Sequence, residues 1–215
     1  MPLNATLRAQ LADALRAAAP DQPTLCEGWQ ARHLAAHVVL REHSAAVGAG
    51  LAVPALAEHA ETRIEELANT ATTPEGYAAL VDRVAAGTGR WHPMHWAGDA
   101  ANLVEFYVHT EDVRRGSGPV PPRELDPELV EALWKQLTRA ASLRLRRVPV
   151  GVIAVRDDGP RARLRTPKDG HGTVVARGAV GELVLWLLGR GAAADVRLEG
   201  AAPDLATITG SLPVA

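Results

Sequence analysis

The chain is poor in features that assign a function at sight. It has a single cysteine, Cys26, in 215 residues, so no disulfide can form within it and a reducing cytoplasm is the expected setting. No apolar run approaches the roughly 18 residues of a membrane span. The opening Met1-Pro-Leu-Asn-Ala-Thr6 lacks the basic-then-apolar pattern of a secretory signal. Charge is nearly balanced, 23 Lys and Arg against 25 Asp and Glu, which leaves no electrostatic footprint for nucleic acid or an anionic membrane. There is also no P-loop, G-x-G-x-x-G, G-x-S-x-G or paired-cysteine zinc motif. Nucleotide-binding, serine-hydrolase and zinc-finger chemistries therefore lose their usual signatures.

What is present is an ordinary globular composition, 47% hydrophobic and 22% charged, in a chain long enough to bury a core. Helical periodicity dominates to about residue 148. Leu7, Leu11 and Leu15 share a face. Further helices are expected over 34–47, 58–68, from Pro74, over 99–115 and from Asp126 to near Arg147. Pro23, Pro54 and Gly116-Ser-Gly-Pro-Val-Pro-Pro122 interrupt them. After Pro149 the pattern becomes β-branched and alternating, with strands expected at 150–155, 162–165, 172–177 and 196–199 and a short buried helix over 181–190. The expected fold is mainly α with a small α+β part: a helical bundle over 1–148, then an α+β domain over 149–215.

The chemistry concentrates in Asn102-Leu-Val-Glu-Phe-Tyr-Val-His-Thr-Glu-Asp-Val-Arg-Arg115. Glu105 and His109 stand four apart, one above the other on a helix face. Their neighbours Leu103, Val104, Phe106, Tyr107 and Val108 are apolar nearly all round, so the helix should be interior. An interior carboxylate is costly unless paired, protonated or bound to a metal. The pair is half of a divalent-metal site, or else an ion pair with no metal. A third ligand should come from a facing helix. His37, set among Leu34, Ala36, Val38 and Leu40, is the histidine whose neighbours place it inward, as a ligand or as a hydrogen-bonded core residue. His92 and His95 flank Pro93 in a Trp-rich loop. His43, His59 and His171 belong to no constellation. Cys26 reads as a small buried hydrophobe rather than a nucleophile.

Leu25-Cys-Glu-Gly-Trp-Gln-Ala-Arg-His-Leu-Ala-Ala-His-Val-Val-Leu-Arg-Glu42 resembles the opening of the mycothiol-dependent maleylpyruvate isomerase family, which has a DinB-like four-helix bundle. Glu105-Phe-Tyr-Val-His-Thr-Glu-Asp112 is similar to the family's later E-x-x-x-H-x-x-D. Gly181–Arg190 looks like part of its C-terminal domain. Within the family, the resemblance is closest to an actinobacterial subgroup described only as metal-binding. It implies a divalent metal such as zinc held by His37, Glu105 and His109, with an open position for water or substrate. Asp112 would orient an imidazole from behind, and Arg190 would pair with a substrate or thiol carboxylate. Mycothiol or a similar low-molecular-weight thiol is the implied cosubstrate, with a small electrophile as its partner and either a monomer or a homodimer as the working state. The implied reaction is thiolate addition to a cis double bond conjugated to a carbonyl, rotation, and expulsion of the thiol. An S-transferase would omit the last step. A non-catalytic metal-binding bundle with a regulatory or sensing role is the competing reading.

One departure stands out. The family's W-[ST]-x-x-[DE] resembles a capping box, but here it reads Trp29-Gln-Ala-Arg-His33. The expectation is a lost cap at the second helix, with His33 turned toward the pocket.

Overall fold

The structure, a computed structural model, describes residues 3–44, 47, 55, 57–87 and 99–214, without the side chains of 99–101. The described chain divides into two compact units, Met1–Val120 and Pro121–Ala215.

The first unit is helical: α1 (Leu3–Ala17), α2 (Ala31–His43), α3 (Ala57–Asn69), α4 (Pro74–Ala86) and α5 (Asp99–Arg115). In α1, Leu7, Leu11, Ala12 and Leu15 make a buried stripe, which packs on α5 and α4. Thr73 caps α4 through its hydroxyl, which accepts from the Gly76 N–H at 3.2 Å, and Pro74 supplies a pre-set first turn. Tyr77 of α4 buries its ring and donates to the Leu15 carbonyl at 2.9 Å, a polar tie between two apolar faces. In α3 the buried face narrows to Ala60, Ile64 and Ala68, and the helix leans on α2. α5 is interior as its composition requires, with Leu103, Phe106, Tyr107, Val108 and Val113 all buried.

Two buried ion-pair groups belong to this unit. Arg8 of α1 forks onto Glu42 of α2 and lies 4.5 Å from the Phe106 ring centre. Glu111 of α5 is held by Arg114 at 2.8 Å and Arg115 at 2.7 Å. The Glu-Asp-Val-Arg-Arg ending of the central helix is thus explained by structure at Glu111 and both arginines.

The second unit holds α6 (Pro127–Arg144), β1 (Gly151–Arg156), β2 (Arg161–Arg165), β3 (Thr173–Gly178), α7 (Val180–Leu185), β4 (Arg197–Glu199) and α8 (Ala202–Thr209). The sheet order is β2-β1-β3-β4. β1 and β2 form an antiparallel pair across the Asp157–Pro160 turn, β3 lies parallel to β1, and β4 closes antiparallel on β3. The division differs from the sequence expectation, which ended the bundle at 148. Leu129, Leu133, Leu137 and Ala141 of α6 are buried, and that helix packs on α7 and β2. Its apolar stripe therefore completes the core of the α+β unit. The fold class is otherwise the one expected. Among the described residues no helix is long and apolar enough to cross a membrane.

Candidate metal centre

The site begins with a turn. Trp29 N–H donates to the Cys26 carbonyl at 2.9 Å, closing Cys26-Glu-Gly-Trp29, and Gly28 sits at φ +76°. A turn that needs positive φ at its third position favours glycine. The turn lies against the end of α5, whose last carbonyls have no partner within the helix. Leu25 N–H donates to Asp112 O at 3.0 Å and Gln22 Nε2 to Val113 O at 3.2 Å. At Gly116 the approach is so close that a Cβ would fall 2.0 Å from the Pro23 carbonyl. The turn therefore serves as the cap of the central helix and carries two side chains to the site. Cys26 Sγ donates to Asp112 Oδ2 at 3.2 Å, and the Trp29 ring tilts against His37 with centres 5.1 Å apart.

The expected loss of a cap on α2 is not what the structure shows. His33 Nδ1 accepts from the Gln30 N–H at 3.1 Å, doing what a carboxylate does in a capping box. Its Nε2 faces Glu65 Oε2 of α3 at 3.0 Å. With Nδ1 accepting, Nε2 is the nitrogen left to donate to Glu65. His33 edges a 620 Å³ cleft lined by Glu27, Trp29, Glu61 and Glu65 among others.

His37, Glu105 and His109 come together. Glu105 Oε1 lies 2.9 Å from His37 Nε2 and 3.1 Å from His109 Nε2. All three donor atoms fall within 4.8 Å of one another. His109 Nδ1 meets Asp112 Oδ2 at 2.9 Å, and Asp112 is fully buried. The imidazoles are nearly closed off, at 8% and 9% side-chain exposure, while Glu105 retains 25%. The cluster thus opens on its carboxylate side. Arg41, one turn beyond His37, stands at that opening with Nε 3.4 Å from Glu105 Oε1 and Nη1 donating to Asn102 Oδ1 at 2.8 Å.

Burial alone would push His109 down. The Glu105 charge, with the hydrogen bonds to Asp112, Cys26 and Glu105, outweighs it and holds His109 well above its ordinary value. With a carboxylate at each nitrogen the ring is an imidazolium. Burial likewise opposes ionisation of Glu105, but the charge and hydrogen bond of His109 and the contact with His37 hold it well below the carboxylate range. His37 is lowered, chiefly by burial. It is neutral, donates through Nε2, and leaves Nδ1 without a hydrogen-bond partner.

Arg190 belongs to the second unit and donates to its neighbour Leu188 O at 2.8 Å. His92 and His95 lie outside the described residues. His171 faces Asp204 at 3.6 Å. Sequence reasoning missed Arg41 and the Cys26 contact. Arg41 continues the His33–His37 spacing and was within reach of a face count. Cys26 and Asp112 are 86 residues apart, and no local pattern signals their meeting.

These features define a class: a helical domain with a buried, partly open His–Glu–His cluster, joined to a small α+β unit. Residues 4–100, which include the stretch opening at Leu25, match the Mycothiol maleylpyruvate isomerase N-terminal domain. The crystal structure of the mycothiol-dependent maleylpyruvate isomerase superposes with a TM-score of 0.57 at 17% identity, covering 95% of this chain and 96% of that one. At that identity the likeness establishes a common fold. No curated protein sequence matches the chain.

Proposed function

We propose that the chain is a divalent-metal enzyme, with zinc as the metal, that uses a low-molecular-weight thiol such as mycothiol to isomerise a small cis-unsaturated carbonyl compound. The observation that carries this reading is the convergence of two imidazole nitrogens and one carboxylate oxygen. The edges of 2.9 and 3.1 Å are a little shorter than the roughly 3.3 Å separating ligands of a tetrahedral ion bound at about 2.0–2.1 Å. The donor set is that of a zinc site with an open position, so the residues fit the ion. The family match over residues 4–100 supports the thiol and the reaction class.

In this reading His37, Glu105 and His109 hold the metal, and the metal when bound lowers the pKa of a thiol at neutral pH. Asp112 keeps the proton on His109 Nδ1, which leaves Nε2 free to ligate. Cys26 and the capped end of α5 hold Asp112 still. The Trp29 ring against His37 excludes water from that side. The thiolate sulfur bonds to one carbon of the cis double bond, and the π electrons move onto the carbonyl oxygen. Rotation about the single bond follows. Return of the electrons restores the double bond in trans form and expels the thiolate. Arg190, on the family resemblance, pairs with a carboxylate of the substrate or thiol.

Elemental analysis of purified chain should find about one zinc or similar ion per molecule. His109→Ala should lose it. Full metal occupancy in that variant would sink the site. Turnover of a cis-enone panel only when mycothiol is present distinguishes the enzyme from a binding module, which would hold metal and stay inactive throughout.

A further inference from the structure

The charge arithmetic of the cluster points to a residue outside the ligand set. Three groups converge on one oxygen, Glu105 Oε1: His37 and His109 within hydrogen-bond distance, and the guanidinium of Arg41 as an ion pair at 3.4 Å. Were a divalent ion bound by neutral imidazoles, its two positive charges would be matched by Glu105 and Asp112. Arg41 would then be the surplus cation. Its remaining partner is the Asn102 amide oxygen at 2.8 Å, which carries no charge. Among the described residues its Nη2 has no hydrogen-bond partner. The guanidinium stands on the open side of the cluster, with 14% of its side chain exposed beside the 25% of Glu105. Asn102 is buried, so the fork is held in place before any ligand arrives. A part-buried, pre-positioned guanidinium with a free edge suits a carboxylate, which it can engage with two parallel N–H donors.

We propose that Arg41 is a specificity-determining residue that anchors a carboxylate of the electrophile entering beside Glu105. This inference rests on the metal reading above. Without metal, Glu105 occupies Arg41, so carboxylate binding should depend on metal.

Calorimetric titration of the full, zinc-loaded chain with maleate and with its dimethyl ester tests this without turnover. Maleate should bind the zinc-loaded chain and not the chelated one. In Arg41→Met, with zinc content unchanged, maleate affinity should fall at least about tenfold, while the ester shows no difference between the two proteins. Arg41→Lys keeps the charge without the fork and should fall in between. Equal maleate affinity in wild type and zinc-loaded Arg41→Met overturns the assignment. So does loss of zinc from both Arg41 variants, which would make Arg41 a support of the cluster. A wild-type chain that takes up no zinc is a distinct result, failing at the metal reading and removing this inference with it.

Discussion

Glu105 Oε1 receives His37, His109 and Arg41 at once, and that crowding has consequences for protons. In the metal-free chain His109 is held charged and Glu105 ionised. To ligate through Nε2, His109 must lose a proton, whereas neutral His37 need only move its proton to Nδ1. Metal uptake should release about one proton, and affinity should rise with pH through the His109 titration. Calorimetry in buffers of different ionisation enthalpy measures the proton, and its absence would mean that His109 does not ligate through Nε2. The pair also sets the stability of the metal-free chain. The raised His109 stabilises fully below its unfolded value near 6.5 and loses this as pH rises through its folded value. The depressed Glu105 stabilises above its unfolded value near 4.5 and loses this as pH falls through its folded value. The contribution of the pair is therefore greatest between about 4.5 and 6.5, and thermal unfolding of chelated protein across pH reads it. At this scale the sequence was informative where spacing is local. Glu105 and His109 are one turn apart, and the apolar setting of His37 marked it as inward. Cys26 was not legible as a participant, because its partner lies 86 residues away, whereas Arg41 falls on the His33–His37 spacing and a face count would have reached it.

At the scale of elements, both ends of the site depend on caps. The α2 start was expected at 34 and occurs at Ala31, because His33 accepts the Gln30 N–H and the Ala31 N–H reaches the Gln22 carbonyl at 2.8 Å. A search for Ser, Thr, Asp or Glu passes over an imidazole in this role. His33→Ala should cost about 1 kcal/mol, and His33→Glu, which restores the acid, should cost less. Chemical denaturation of the two variants compares them directly, and equal losses would remove the capping role. The turn before α2 is tested by Gly28→Ala. Nothing would collide with the new Cβ, so the cost, about 1–2 kcal/mol, would come from the left-handed backbone alone. The helices themselves were well marked by periodicity. α3 and α5 were legible to within a residue or two, as were the start of α4 at Pro74 and the buried stripe of α1, because each is marked by apolar spacing or a strong stop.

At the scale of the whole molecule, the order of a helical part followed by an α+β part was readable from composition, while the boundary was not. Periodicity identifies α6 as an amphipathic helix but does not say which core its stripe of Leu129, Leu133 and Leu137 fills. A fragment of residues 121–215 should accordingly fold cooperatively by circular dichroism, and one of 149–215, deprived of α6, should not. If the shorter fragment also unfolds with a sharp transition, the division at 120 loses its physical meaning. Two-part folding of this kind also predicts where metal stabilises. At one hundred times its dissociation constant, a bound ion adds about 2.7 kcal/mol to whatever binds it, so hydrogen exchange should slow in α2 and α5.

The contact between Cys26 and Asp112 makes the chain its own spectroscopic reporter. A sulfhydryl stretch absorbs in a part of the infrared free of other protein bands, and this protein has one thiol. That thiol shares the Asp112 oxygen with His109. As His109 passes from imidazolium to neutral ring, the oxygen becomes a stronger acceptor for Cys26. The band should move to lower frequency, recording the state of the centre without any label.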